Sequence, residues 1–285
     1  MSGRSRGGSD FGPLVGGEWL FDKLDDVRVV DVRWYLDGRS GSDAYESGHI
    51  PGAVWLDVDT DLSEPAAAPD GRHPLATPER FAGALARVGI AEGTPVVAYD
   101  DAGGSIAARL WWMLHVLGEP AAVLDGGLAA WPGILTTEVP GPRPVQRLPR
   151  AWPEHRFVTA DQVESATTSG DAAVFDARTS ERFARGDAAI DPRPGHVPGA
   201  ISAPWAANLD ADGRFRDVDA LRARFAAAAG RTAITYCGSG VTACHDLLAM
   251  ELAGLRATAL YTGSWSQWGA DDSRPAAIGP PGAEI

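Results

Sequence analysis

Short apolar runs alternate with longer amphipathic stretches along most of the chain. The runs at 27–33 and 172–178 are rich in Val and Ala and each ends in Asp-x-Arg, which is typical of buried strands in a parallel sheet. The stretches between runs carry apolar residues at helical spacing. One of them begins with Thr77 and Pro78, an N-cap followed by a first-turn proline, and closes at Gly89. The pattern predicts an α/β fold in which helices cover a parallel sheet.

The same landmarks occur twice, in the same order. Each half has an apolar run ending in Asp-x-Arg, a Gly-His-Ile/Val-Pro-Gly-Ala turn, a second apolar run followed by a glycine-containing loop, and a last strand followed by Gly and then Trp. The paired segments are 27–33 with 172–178, 48–53 with 195–200, 95–100 with the run ending at 237, 104–118 with 240–254, and 123–126 with 260–263. This order predicts a duplicated domain.

One loop of the second half carries the strongest chemical signal. Cys237 ends the apolar run 233–236, and Gly-Ser-Gly-Val-Thr follows it before a helix predicted to start near Val241. The carboxyl edge of a sheet, glycines that turn N–H groups inward and a helix N-terminus all favour an anion. Because such surroundings favour a thiolate, we expect Cys237 to be a nucleophile and not a buried structural cysteine.

Composition and charge exclude several classes of protein. The chain has 285 residues, a net charge of −13 and two cysteines, Cys237 and Cys244, too far apart on loop and helix for a disulfide. The charge disfavours nucleic acid and anionic membranes as partners, and no apolar run is long enough to span a bilayer. No Cys–His set has zinc spacing, so we expect no metal and no cofactor. Without disulfides or a signal peptide, we expect a cytoplasmic protein.

The cysteine loop at 237–242 and the turns at 48–53 and 195–200 resemble the tandem-domain rhodanese superfamily of sulfurtransferases, over roughly residues 11 to 270. The loop sequence Cys-Gly-Ser-Gly-Val-Thr is similar to the 3-mercaptopyruvate sulfurtransferase form. Thiosulfate-preferring members carry basic residues directly after the cysteine. Near the carboxyl end this chain departs from the family pattern, with Thr262 and Gln267 in place of acidic residues.

The resemblance implies two tandem rhodanese-like domains, each a parallel β-sheet flanked by helices. The expected organisation is a disordered start (1–10), an N-terminal domain (11–132), a proline-rich linker (133–155), a C-terminal catalytic domain (156–270) and a tail (271–285). The first domain is expected to be non-catalytic, because Asp100 and Asp101 stand where the cysteine would fall.

The resemblance also implies a covalent mechanism. The Cys237 thiolate would attack the outer sulfur of a small anionic donor and hold that sulfur as a persulfide, which a thiophilic acceptor then removes. The loop N–H groups would stabilise the sulfur anions and the bound donor. The loop residues implied in binding are Gly238, Gly240, Val241 and Thr242.

Two arginines are candidates for binding a donor carboxylate. Arg178 follows the first strand of the second half and should emerge at the same sheet edge as Cys237, where a guanidinium can bind a carboxylate bidentately. A structural salt bridge with Asp176 is the alternative. Arg182 is the second candidate, and a solvated side chain is its alternative.

Ser239 is expected to act together with two residues of the first domain. Members similar to this chain use a serine at this place with a histidine and an aspartate, and the order along the chain assigns these roles to His73 and Asp59. Such a trio would polarise the donor or relay a proton. The alternative is that His73 is only a histidine of a surface loop.

Three rival functions compete with a 3-mercaptopyruvate sulfurtransferase. A phosphatase with this type of loop needs an arginine six residues after the cysteine, and Ala243 excludes it. A thiosulfate:cyanide sulfurtransferase and a sulfur-relay protein that delivers persulfide to a protein partner stay open. The acceptor would be a thiol, cyanide or a thioredoxin-like protein, and the protein is expected to be a monomer.

Overall fold

The computed structural model describes residues 11–66, 69–141 and 143–279. The first half forms one five-stranded sheet in which all paired strands run parallel. Its strands are β1 (Leu14–Val15), β2 (Arg28–Asp31), β3 (Val54–Trp55), β4 (Val96–Tyr99) and β5 (Ala121–Leu124). Their order across the sheet is β1-β5-β4-β2-β3.

The second half repeats this sheet. Its strands are β6 (Phe157–Val158), β7 (Ala172–Asp176), β8 (Ile201–Ser202), β9 (Thr232–Tyr236) and β10 (Thr258–Tyr261). They are again parallel, in the order β6-β10-β9-β7-β8, which matches the first sheet strand for strand. The predicted α/β fold with two tandem copies of one domain is therefore confirmed.

Helices flank both sheets. In the first half they are α1 (Gly17–Asp22), α2 (Gly41–Ser47), α3 (Pro78–Arg87) and α4 (Ala107–Val116); in the second they are α5 (Ala160–Ser169), α6 (Ser180–Arg185), α7 (Val218–Arg224), α8 (Ala243–Leu252) and α9 (Ser264–Trp268). The predicted start of α3 is confirmed, since the Thr77 hydroxyl accepts the N–H of Arg80 and Pro78 is the first helical residue. None of the helices in the described ranges has the length and apolar composition needed to cross a membrane.

The two halves meet through α4 and α8, which pack against each other. Both helices are buried on almost every side because each is covered by its own sheet and by the other half. One hydrophobic core runs through the contact and includes Trp112 of α4 and Leu248 of α8. A polar contact joins the halves beside this core, where His245 Nε2 donates to the Gly103 carbonyl at 3.2 Å. The apolar contact holds the carboxyl edges of the two sheets in a fixed relation.

The proline-rich segment between the halves and the described part of the tail both contact the domains. In the proline-rich segment, Trp152 Nε1 donates to the Ala76 carbonyl at 2.8 Å. Part of the expected tail, residues 271–279, is held against the second half, where Arg274 pairs with Glu164 at 2.9 Å. The expected disordered start at 1–10 lies outside the described residues.

Candidate active site

Cys237 is the first residue after β9, at the carboxyl edge of the second sheet, as predicted. The residue is buried, with 2% of its surface exposed, and its Sγ atom accepts N–H groups from Gly240 at 3.1 Å and Ser239 at 3.5 Å. Sulfur at this position thus lies in a cradle of backbone donors. Such donors stabilise a thiolate.

The loop after Cys237 depends on two glycines. Gly240 has φ +77°, and a Cβ atom there would lie 2.6 Å from the Thr262 carbonyl oxygen. At Gly238 a Cβ atom would lie 2.6 Å from Nη2 of Arg72 and 2.9 Å from Nη2 of Arg182. After this left-handed turn α8 begins at Ala243, two residues later than expected.

Ser239, His73 and Asp59 are brought together as the resemblance implied. His73 Nδ1 lies 2.7 Å from Ser239 Oγ, and His73 Nε2 lies 2.8 Å from Asp59 Oδ1. The hydrogen bond from His73 is the main cause that lowers the pKa of Asp59, and a hydrogen bond from Trp34 adds to it. With Asp59 ionised, Nε2 carries a proton toward Asp59, and in the neutral tautomer Nδ1 accepts the hydroxyl proton of Ser239.

His73 is held in a defined orientation and is not a mobile surface histidine. Only 4% of its surface is exposed. The Trp34 indole packs edge-on against the imidazole, with 5.1 Å between ring centroids, and its Nε1 donates to Asp59 Oδ2 at 2.9 Å. The imidazole is thereby fixed with one ring nitrogen toward Ser239 and the other toward Asp59.

The carboxylate-binding prediction for Arg178 needs correction. Its side chain is fully buried, and Nε and Nη2 lie 3.0 and 2.7 Å from Asp176 Oδ2. Nη2 also donates to the Gly195 carbonyl at 2.8 Å. Arg33 makes the same contacts with Asp31 and the Gly48 carbonyl in the first half, which has no cysteine. The salt-bridge alternative therefore describes Arg178, and the equivalent bridges tie β2 and β7, the second strand of each half, to the Gly-His turn of that half.

Arg182 and Arg72 are the guanidinium groups that lie over Gly238. Arg182 comes from α6 and pairs with Asp191, with Nε 3.0 Å from Oδ2. Burial raises the pKa of Asp191, but hydrogen bonds and the charge of Arg182 outweigh burial and place it below its usual range. Arg182 thus lies beside the cysteine loop and stays a candidate for binding a donor carboxylate.

Arg72 was not among the residues singled out from the sequence. Its Nη1 donates to the Ile190 carbonyl at 2.8 Å, and its Nε is buried without a partner. Burial lowers the pKa of Arg72, and the charge of Cys237 acts in the opposite direction. Gly71 has φ +89°, and a Cβ atom there would lie 2.7 Å from the Gly263 oxygen, so only glycine lets this segment approach the second half so closely. In the sequence, the glycine directly before Arg72 and His73 was the available sign that this segment approaches another part of the chain closely.

The first half has its own version of the cysteine loop, and Asp100 fills it. Oδ1 accepts the N–H groups of Ala102 and Gly104 at 2.9 and 2.8 Å, and Oδ2 accepts those of Ile106 and Ala107 at 2.7 and 2.8 Å. The carboxylate thus occupies the anion cradle that holds sulfur in the second half. This explains in structural terms why the first half would be non-catalytic.

Comparison with known proteins gives the same architecture. The rhodanese-like domain family matches residues 17–133 and again 159–271. The probable 3-mercaptopyruvate sulfurtransferase of Pseudomonas aeruginosa is 42% identical over 267 residues, 89% of this chain and 93% of its own. A Mycobacterium tuberculosis protein with the provisional name thiosulfate sulfurtransferase is 38% identical, over 90% of this chain and 92% of its own.

A solved structure of 3-mercaptopyruvate sulfurtransferase from Escherichia coli superimposes with a TM-score of 0.78 at 33% identity, covering 89% of this chain and 99% of that one. Its coverage includes both halves and hence the contact between them. From the two family matches, the relatives and the shared fold, the chain belongs to the rhodanese-like domain family, with two tandem copies of the domain.

Proposed function

We propose that this protein transfers sulfur from 3-mercaptopyruvate to a thiol acceptor through a persulfide on Cys237. The sulfurtransferase class follows from the family and from relatives that are 34 to 42% identical over most of the chain. Those relatives imply a small sulfur donor and a thiol acceptor. We further propose that 3-mercaptopyruvate is the donor, that the named residues have the roles given below, and that the protein is a cytoplasmic monomer.

The reaction balances within the site. The Cys237 thiolate attacks the donor sulfur, the new S–S bond forms, and the donor C–S bond breaks with its electron pair going to the pyruvate enolate. The enolate carbon then needs one proton, and the donor thiol loses one. Net transfer of that proton leaves pyruvate and an ionised persulfide, so no oxidant or reductant is required.

The Asp59–His73–Ser239 arrangement supports the choice of donor, and this observation carries the proposal. A proton must move when the leaving group is an enolate, and a hydroxyl bonded to a histidine is suited to stabilise the enolate oxygen and relay the proton. Sulfite, the leaving group of thiosulfate, leaves as a stable anion and needs no such relay. The machinery built across the two halves therefore suits 3-mercaptopyruvate better.

Arg72 and Arg182 support an anionic donor. Both guanidinium groups face Gly238, next to the nucleophile, and their geometry suits a carboxylate. Two cations at this place also fit thiosulfate, which keeps thiosulfate as the second candidate donor. A protein acceptor that takes the persulfide directly is compatible with either donor.

Steady-state kinetics with both donors and one thiol acceptor test the proposal. We expect a higher kcat/KM for 3-mercaptopyruvate than for thiosulfate. A higher kcat/KM for thiosulfate would contradict the donor assignment. Intact mass after each donor, in the absence of acceptor, should show one added sulfur, and no added sulfur with either donor would contradict the persulfide.

A further inference from the structure

Arg109 is a fully buried arginine at the contact between the two halves. It lies on α4, and none of its surface is exposed. Arg33 and Arg178 are also buried, and each of them pairs with an aspartate. Among the described residues, no carboxylate lies within salt-bridge distance of Arg109. The oxygens to which it donates are all backbone carbonyls.

The carbonyl partners of Arg109 belong to both sides of the site. Nη1 donates to the Gly240 carbonyl at 2.9 Å, and Nη2 lies 3.4 Å from the carbonyl oxygens of His73 and Leu62. The Gly240 N–H is the closer donor to Cys237 Sγ. One guanidinium from the first half therefore holds both the cysteine loop and the segment that carries His73.

A buried cation without an anion is costly, so a nearby anion should compensate it. Burial lowers the pKa of Arg109, and charge on Cys244 and Cys237 would act in the opposite direction. Cys244 is a poor source of that charge, because burial raises the pKa of its thiol to about 12. Its Sγ instead donates to the same Gly240 carbonyl at 3.4 Å. Cys237 is left as the sulfur that can supply the anion.

We propose that Arg109 is a positioning residue of the sulfur-transfer site, which fixes the cysteine loop through the Gly240 carbonyl and balances the charge of the Cys237 thiolate and persulfide. The inference rests on the proposed role of Cys237 as nucleophile. The charge of Cys237 would then depend on the first half through Arg109, in addition to the contact of the His73 side chain with Ser239. A sulfur anion in the second half is stabilised by a cation that the first half supplies.

The pH profile of Cys237 alkylation by iodoacetamide, measured in a Cys244→Ser background, tests this without any sulfur donor. Other charged or titratable groups lie around the site: Arg72, which interacts with Cys237, then Arg178, Arg182 and Asp191, which interact with Arg72, and His73, which contacts Ser239. The Arg109 variants leave all of them in place. Arg109→Gln should shift the profile to higher pH. A shift of one unit corresponds to about tenfold slower alkylation at a pH below both midpoints.

Arg147→Gln is the matched control, because the Arg147 side chain is also buried in contact with the first half but pairs with Glu119 at 2.9 Å. It should leave the alkylation profile unchanged. An unchanged profile in folded Arg109→Gln, or an equal shift in both variants, would overturn the proposal. If wild-type protein formed no persulfide, the proposed function would be contradicted. The alkylation profiles would still show whether Arg109 stabilises the Cys237 thiolate.

Arg109→Lys keeps the test decisive if Arg109→Gln does not fold. A lysine retains the charge, so the alkylation profile should stay near that of the wild type. Its single ammonium cannot hold the Gly240 and His73 carbonyls as a guanidinium does, so kcat for transfer should fall. A shifted profile in Arg109→Lys would overturn the charge-balancing role, and an unchanged kcat would overturn the positioning role.

Discussion

His73 Nδ1 lies 2.7 Å from Ser239 Oγ, although 166 residues separate the two in the chain. The contact crosses from the half without a cysteine to the half with one. The packing of α4 against α8 places the two halves so that this contact forms, and the proposed relay and nucleophile therefore share one arrangement of the halves. The first half thereby contributes His73 to the proposed site.

Loss of this contact should affect the two donors differently. His73→Asn and Ser239→Ala should lower kcat for 3-mercaptopyruvate by about 10²-fold, the usual contribution of a positioned acid–base group, and should affect thiosulfate much less. Steady-state kinetics with both donors measure this. His155→Asn is the control, since His155 is exposed. Equal losses for the two donors would argue against a proton relay.

The two cysteines should behave in opposite ways. Cys237→Ser should abolish transfer, because no thiolate remains to form the persulfide. Cys244→Ser should retain most activity, because the Cys244 thiol is buried and burial raises its pKa to about 12. Intact mass with donor alone should show an added sulfur in Cys244→Ser and none in Cys237→Ser. Sulfur uptake by Cys237→Ser would place the carrier elsewhere.

Arg178→Ala should act on stability and not on donor binding. Removing the guanidinium leaves Asp176 buried and unpaired, which costs about 3–5 kcal/mol in the free energy of unfolding. Arg33→Ala breaks the same bridge in the first half and should cost a similar amount. Urea unfolding and the donor KM measure both effects. A KM raised by Arg178→Ala but not by Arg33→Ala would restore the carboxylate-binding role.

Arg72→Met and Arg182→Met should raise the donor KM. A charge-assisted hydrogen bond is worth about 1.5–3 kcal/mol, so each loss should raise KM roughly tenfold or more. Arg222→Met, an exposed arginine that pairs with Asp219, is the control. Unchanged KM values for both variants would place the donor away from Gly238.

His245 should make the protein sensitive to acid. Burial lowers the pKa of His245 to about 3, whereas in the unfolded chain the imidazole has its ordinary pKa of 6.5. The unfolded state therefore binds more protons, and stability should be lost as the pH falls from 6.5 toward 3. His245→Gln should show a smaller fall in Tm over that range than the wild type. A parallel fall in both proteins would contradict the assignment.

The sequence was sufficient for the parts of the site that depend on local pattern. Repeated runs and glycine turns predicted the two sheets, and the strand–loop–helix around Cys237 predicted where its sulfur lies. The prediction for Arg178 was wrong because its position at the sheet edge is visible in sequence, whereas the direction of its guanidinium is set by Asp176 and Gly195. Arg109 was missed because its relation to the loop arises only from packing between the halves, and Arg72 was missed because Gly71 before it indicates a close approach without showing to which segment.

The filled loop of the first half has a consequence for the whole molecule. Asp100 fills its cradle with a carboxylate that is part of the chain, whereas we propose that the corresponding cradle of the second half holds the sulfur of Cys237 as a thiolate and then as a persulfide. The group bound in the first loop therefore never changes, whereas the group bound in the second loop would change during each proposed catalytic cycle. One cradle stays constant while the other is loaded and emptied, and the constant one borders the interface that supplies His73 and Arg109. The loop of the first half is thus a fixed counterpart of the loop that we propose to carry sulfur in the second half.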